Sequence, residues 1–401
     1  LDPATFSLSV SVTRLIFPSI LFMGIASLYG SLLNVYKHFL TPSLNQLVLN
    51  IAIIASVLLL GHYYGVQALA VGFLVGAILQ FVILIPALKN NQLSFKPTFD
   101  WKSDEMKTMY RLWLPLFVAL FVSNVNDLVN RSIAAGLEAG NVAALNFANR
   151  IRETVWLLCG VPLGTAIFPY ISSHAAKNET KELESLTNFA IRLTTFMALP
   201  LCLLMLFYSK PLVRLLFERG LFNSDSTQLT SNALIFYSIG ALFYALNYVV
   251  LRVYFSIHDM LRPLKAFVAA FVVNIVGGII LRKYMAIGGV TLARSLADLI
   301  TFVILIAGMS HIFIELKPSV VYKSMFKMGG LALVSVAFSF LVYSNLPQGD
   351  AFVQQLASLS ISCGIALIGY ILLSMLFKVE EVVAFWNILK KKMAISRIYT
   401  P

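Results

Sequence analysis

The sequence predicts an all-α polytopic membrane protein, and three observations predict it. Of the 401 residues, 59% are hydrophobic and only 12% are charged, against roughly 25% charged in a soluble globular domain. The mean hydropathy is +0.84. That balance excludes a soluble enzyme and a disordered scaffold. The apolar residues also gather into runs of about 20, the length that crosses a hydrocarbon core about 30 Å thick. Strict alternation of polar and apolar residues over ten positions is absent, which excludes a transmembrane β-barrel.

By that length criterion eleven spans are expected. The first three are 12–34, 43–61 and 67–88. The next two, 111–136 and 142–172, are long enough to require tilt or a bend, which Pro162 and Pro169 can supply. A sixth span at 186–208 is followed by PLVRLLFERGLFN at 211–223. Arg214 and Glu218 stand four apart there, and Leu212, Leu215, Leu216 and Phe217 supply an apolar side, so a short interfacial helix is expected. The remaining spans are 230–257, 264–281, 288–308, 323–345 and 351–377, with Arg282 and Lys283 placed to snorkel at the end of one of them.

The net charge of +12 is topological. Lys89, Lys96, Lys102, Lys107 and Arg111 fill one connection; Lys177 and Lys181, Arg262 and Lys265, then Lys317, Lys323 and Lys327 fill others. The tail carries Lys378, Lys390, Lys391, Lys392 and Arg397, whereas 61–66, 136–142 and 345–351 hold no Lys or Arg. Every second loop is basic, so those loops and the C-terminus are expected to be cytoplasmic and no nucleic-acid partner is implied. Eleven spans then put residue 1 outside, and an odd number of helices is expected upstream. Cys159, Cys202 and Cys363 lie in apolar runs without CxxC spacing and read as small core residues.

Polar groups inside the membrane are costly and face a partner or a cavity. The densest set is Asn124, Asn126, Asp127, Asn130 and Arg131, then Asn146, Asn149, Arg150, Arg152 and Glu153. Asp127 and Arg131 share a helical face and can neutralise each other. Arg150 lies deep in its span. It is either buried in an ion pair with Asp127 or Glu153, or a fixed cation lining a water-filled cavity for an anionic substrate. The local excess of Arg150 and Arg152 over Glu153 favours the second. Arg294 and Asp298, again four apart, read as a self-satisfied pair, with a proton or cation relay as the sharper alternative. Asn274 either joins that relay or bridges helices. The five histidines have no ligand spacing, and no Walker A loop, GxGxxG or HExxH is present. No cofactor or metal is expected. The chain reads as a transporter driven by a gradient or by membrane potential, not as an enzyme.

Several stretches together resemble one family. VNDLVNRSIAAGLEAGNVAALNFANRI (125–151) and PLGTAIFPYIS (162–172) are similar to helices 7 and 8 of the MurJ/MviN lipid II flippases. PLVRLLFERGLFNSDST (211–227), YFSIHDMLRP (254–263) and TRLIFPSILFMGIASLYGSLLN (13–34) resemble its other signatures. The resemblance implies a two-lobed exporter-type helix bundle of the multidrug/oligosaccharidyl-lipid/polysaccharide superfamily. The eleven spans would then be family helices 4–14, with helices 1–3 absent. Residues 1–90 would be the remainder of the N-lobe (three helices), 91–110 a basic cytoplasmic inter-lobe loop and 111–308 the C-lobe (six helices). Residues 309–401 would hold the two extra helices, which help form a groove for the lipid tail, and the basic tail.

The activity implied is flipping of undecaprenyl-pyrophosphate-linked muropeptide, lipid II, across the bacterial cytoplasmic membrane by alternating access, in support of peptidoglycan synthesis. Membrane lipids and cell-wall synthesis proteins are the other partners this implies. Arg150 matches the family's cavity arginine and Glu153 an acidic position beside it, with Arg152, Asn149 and Asn146 as further substrate-site candidates. Asp127, Arg131, Asn130, Asn274, Arg294 and Asp298 form the candidate ion or charge-relay set. Two departures stand out: Asn130 where helix 7 often has an acid, and Arg294 where helix 12 often has Thr. A fixed guanidinium there would oppose a bound cation, so transport is expected not to be sodium-coupled at that site. Without the arginines of helices 1 and 2, the isolated chain is expected to be inactive. The alternatives are a flippase for O-antigen or capsule lipid-linked sugars, and an inactive truncated transporter.

Overall fold

The computed structural model describes residues 3–36, 38, 40–90, 103–177, 179–310, 318–346, 349 and 351–381. Fourteen α-helices and no strand are found among them. The expected inter-lobe loop falls mostly on 91–102 and the basic tail on 382–401, outside the described residues. The chain divides into two compact units, Leu1–Trp101 and Lys102–Pro401.

The first unit holds α1 (Pro3–Ile16), α2 (Ser19–Val35), α3 (Leu40–Tyr64) and α4 (Gln67–Asn90). The expected span 12–34 is not one helix. Phe17 and Pro18 form a turn between α1 and α2, because Pro18 has no N–H to continue the α ladder and the chain resumes with Ile20 N donating to Phe17 O at 3.2 Å. α3 and α4 form an antiparallel pair in which the Ser56 hydroxyl donates to Ala68 O at 2.7 Å and the Gln80 amide to Asn45 O at 2.9 Å. Such bonds tie helices where lipid offers no competing partner.

In the second unit, α5 (Asp104–Ala135) is one 32-residue helix covering the expected span 111–136; the Ser103 hydroxyl caps it, accepting from Met106 N at 3.3 Å. The expected span 142–172 is interrupted. α6 (Asn141–Val155) passes into a π turn at Trp156–Gly160 and then α7 (Val161–Ala176). In that turn Val161 N–H bonds to Trp156 O, five residues back. The widened turn lies just ahead of Pro162, whose ring and missing N–H would otherwise disrupt the α ladder at this point. α8 (Thr180–Phe207) follows, then α9 (Ser209–Phe217), the short helix expected from 211–223, with Arg214 Nε 3.4 Å from Glu218 Oε1.

The unit is built around α10 (Ser224–Ser256), which packs on α6, α7, α8, α9 and α12 (Ile287–Ser310). α10 and α12 approach so closely that a Cβ on Gly240 would lie 2.6 Å from Ser295 Cα. The Ser295 hydroxyl closes the gap by donating to Phe236 O at 2.7 Å. α11 (Leu261–Met285) joins α12 to α5. α13 (Pro318–Asn345) and α14 (Phe352–Leu376) form the last hairpin, joined by the Ser335 hydroxyl to Ala366 O and the Ser339 hydroxyl to Ser362 O. Ten stretches among the described residues are long and apolar enough to cross a membrane, which makes this a multi-pass membrane protein.

Candidate functional site

Helical periodicity decides which polar side chains of α6 meet the core. Asn149, Arg152 and Glu153 lie three and four apart, whereas Arg150 and Arg152 are about 200° apart around the axis. Only one of the two arginines can be buried, and it is Arg152, at 3% exposure. Its guanidinium is held between two rings of α10, 4.8 Å from the Tyr237 centroid and 4.4 Å from that of Tyr244. Arg152 Nη1 donates to Asp298 Oδ2 at 2.8 Å and Nε to Asn149 Oδ1 at 3.1 Å. Each cation–π contact adds about 0.5–2 kcal/mol when desolvated.

Asp298 has a second cation beside it, since Arg294 Nε lies 3.6 Å from Asp298 Oδ1. Arg294 Nη1 reaches across to α5 and donates to Asp127 Oδ1 at 3.0 Å. The order Asp127–Arg294–Asp298–Arg152 alternates in sign, sums to zero charge and joins α5, α12 and α6. Neutrality of this kind is what permits ionised groups within an apolar bundle. Asn247 supports it from α10, donating to Asp298 O at 2.9 Å. The expected Arg294–Asp298 pair is therefore present but not self-sufficient. Asp127 takes Arg294 as its partner instead of Arg131, which is exposed.

Beside this chain of charges, Asn274 of α11 donates to Asn126 Oδ1 at 2.5 Å and to Asn130 Oδ1 at 2.8 Å on α5. Asn274 thus bridges helices and stands apart from the ion pairs. Asn274→Ala is expected to lower stability by about 0.6–1.7 kcal/mol, the range for polar contacts between membrane helices, read as the shift in unfolding midpoint in micelles. A cavity of about 170 Å³ lies between these groups, lined by Asn126, Trp156, Asn247, Arg294, Asp298 and Thr301 among others. Its polar groups stand among apolar walls, and it is large enough for water, which occupies about 30 Å³ per molecule in the liquid. Among the described residues no group of three or more His, Cys, Asp or Glu could hold a metal.

Arg150 pairs with Glu153 without being buried. Its side chain is 80% exposed, and Nη1 lies 3.2 Å from Glu153 Oε2. Glu153 also accepts from Asn149 Nδ2 at 2.7 Å, so the buried Arg152 orients Asn149, Asn149 orients Glu153, and Glu153 holds Arg150. Arg150 stands at the edge of an apolar groove of about 430 Å³ whose walls include Leu158, Leu204, Leu216, Phe217 and Cys363, from the π turn, α8, α9 and α14. Asn146 is exposed and belongs to neither cluster. Sequence reasoning missed Tyr237, Tyr244 and Asn247. Their spacing of seven and three, which sets three polar side chains along one face of an apolar helix, was the available signal.

The family model described as Lipid II flippase MurJ matches residues 1–390. The chain belongs to the MurJ family. Among curated relatives, the lipid II flippase MurJ of Burkholderia cenocepacia is 27% identical over 314 residues, covering 77% of this chain and 61% of that protein. The chain spans about three fifths of the length of the curated MurJ relatives it matches. A MurJ structure in an inward closed conformation superposes with a TM-score of 0.73 at 26% identity, covering 91% of this chain and 74% of that one. A Vibrio cholerae MATE transporter superposes at 0.61 with 13% identity, covering 76% and 69%, and shares the exporter fold.

Proposed function

We propose that this MurJ-family protein flips lipid II from the cytoplasmic to the outer leaflet of the bacterial inner membrane, with its C-terminus in the cytoplasm. One observation carries the reading: an exposed arginine, oriented by a carboxylate, stands at an apolar groove of about 430 Å³. A polyprenyl pyrophosphate is an anion on a hydrocarbon tail, and this pairing of surfaces matches both ends. Arg150 supplies charge-assisted hydrogen bonds that replace water around the pyrophosphate. The groove walls, α14 among them, replace lipid around the prenyl chain. No bond is made or broken, so no catalytic residue is required. Alternating access of the two lobes completes the transfer. Arg294, bonded to Asp127 and beside Asp298, puts fixed positive charge where a sodium ion would need a vacancy, which supports sodium-independent flipping.

The test is surface labelling of lipid II in bacteria depleted of their own flippase and expressing this protein from its complete coding region. Arg150→Ala is expected to reduce labelled lipid II at least about tenfold, the loss of one charge-assisted hydrogen bond, with membrane protein level unchanged. Replacing sodium by choline at fixed membrane potential is expected to leave the rate unchanged. Labelling restored equally by the parent and by Arg150→Ala would remove the anion-site role. Failure of the parent to restore labelling moves the assignment to another lipid-linked sugar.

A further inference from the structure

The segment after α14 folds back on the bundle. Val379 N donates to Ser374 O at 2.9 Å, and Lys327 Nζ of α13 donates to Phe377 O at 2.9 Å. Val379 is buried against Met328. The turn brings Glu380 and Glu381 onto α8, where Arg192 Nη2 lies 2.8 Å from Glu380 Oε2 and Arg192 Nε donates to Glu381 Oε1. Glu381 is only 3% exposed, and its other oxygen, Oε2, has no hydrogen-bond partner. Glu381 lines a cavity of about 440 Å³ with Lys181, Glu184, Asn188, Arg192 and Glu380.

Lys181 and Arg192 are the basic groups of its lining, and Glu184, Glu380 and Glu381 the acidic ones. A buried carboxylate oxygen without a donor, as Glu381 Oε2 is, is costly. The missing component is a cation that carries hydrogen-bond donors. Metal ions are disfavoured, because no carboxylate cluster suited to one is found among the described residues. The cavity lies at the lysine-rich end of the bundle, with Lys177 and Lys181 beside the start of α8, and Phe189 exposed on its wall. A headgroup at the membrane surface has access there.

We propose that this cavity binds the headgroup of an ethanolamine phospholipid, with the primary ammonium on Glu381 and Glu380 and the phosphate toward Lys181. The ammonium supplies the donor that Glu381 Oε2 lacks, and Lys181 meets the charge of the phosphate. A choline headgroup carries the charge but no N–H, and a glycerol headgroup carries no cation. The occupied cavity fastens the α13–α14 hairpin to α8 through the turn at 377–381. This inference does not rest on the flippase reading, since its readout needs no transport.

The test is the melting of the purified full chain in dodecyl maltoside, followed by tryptophan fluorescence during titration with dioleoyl phosphatidylethanolamine, phosphatidylcholine or phosphatidylglycerol. The ethanolamine lipid is expected to raise Tm at concentrations about tenfold lower than the other two, the difference one charge-assisted hydrogen bond makes. Glu381→Gln is expected to abolish that preference. Glu380→Gln, at an exposed position that folding tolerates, is expected to weaken it about threefold, as for a solvent-screened ion pair. Equal shifts with all three lipids overturn the proposal, as does a preference unchanged in Glu380→Gln or retained in Glu381→Gln. An equal shift with free ethanolamine overturns it as a lipid site.

Discussion

Asp298→Ala is expected to lower stability by about 3–5 kcal/mol, the cost of removing one partner from a buried ion pair. Asp298 is the anion at the centre of the network, with Arg152 Nη1 at 2.8 Å and Arg294 Nε at 3.6 Å. Removing it leaves Arg152 buried with only Asn149 Oδ1 and two tyrosine faces, and leaves Arg294 dependent on the half-exposed Asp127. Neither guanidinium can lose its proton to escape the penalty. Arg152→Ala on its own is expected to cost a similar amount. The double substitution of Arg152 and Asp298 is expected to cost less than the sum, because each single change strands the charge that the other removes. Equilibrium unfolding in mixed micelles reads all three. A cost below about 1 kcal/mol for Asp298→Ala, the level of a solvent-exposed pair, would show that this network is hydrated and not buried.

Gly240→Val is the second large effect. The first side-chain carbon would be placed 2.6 Å from the Cα of Ser295, so the obstacle is backbone and cannot rotate away. α10 and α12 would have to separate, breaking the Ser295–Phe236 bond at 2.7 Å and disturbing Asn247 and Asp298 further along the same interface. Overpacking of a fitted core costs about 1–3 kcal/mol and more where backbone must move. We expect at least about 3 kcal/mol for Val and about half that for Ala. Gly364 in α14 is the control. A Cβ added there would meet nothing within 4 Å, and Gly364→Ala is expected to stabilise by about 0.4–1 kcal/mol. If both Ala variants melt alike, the close approach of α10 and α12 is not what limits stability.

The helices were legible because the bilayer acts as a ruler: a span must be apolar for a set length, and that property is local. Pairs within one helix were legible for the same reason, as Arg294 with Asp298 and Arg214 with Glu218 show. Partners across helices were not. Asp127 and Arg131 satisfy the spacing rule, yet Asp127 bonds Arg294, 167 residues away. Local spacing only permits a pair, and packing chooses among the permitted ones. The Arg150–Arg152 ambiguity is of the same kind. The sequence requires the two to face apart, but which one faces inward depends on Tyr237, Tyr244 and Asp298, all on other helices. Pro18 and Pro162 lay in the open as breakers, but whether a proline breaks, bends or widens a helix depends on its surroundings. The first ends α1 ahead of a turn, and the second follows a π turn.

That π turn also sets the angular phase of everything after it. One extra residue in a turn rotates the following helix by about 100° relative to an unbroken α-helix. The buried positions include Ala144, Ala148, Ile151 and Val155 before the turn, Cys159 and Gly160 within it, and Gly164 and Ile171 after it. After the turn it is Gly164 that meets Tyr248 of α10. Glycine is what the position admits, since a Cβ on Gly164 would lie 2.9 Å from the Tyr248 ring. A variant shortened by a single residue between Trp156 and Gly160 would thus present a different side of α7 to its neighbours over its whole length. Changes in length belong in the connections of this protein, and the five residues of that turn act as a fixed count.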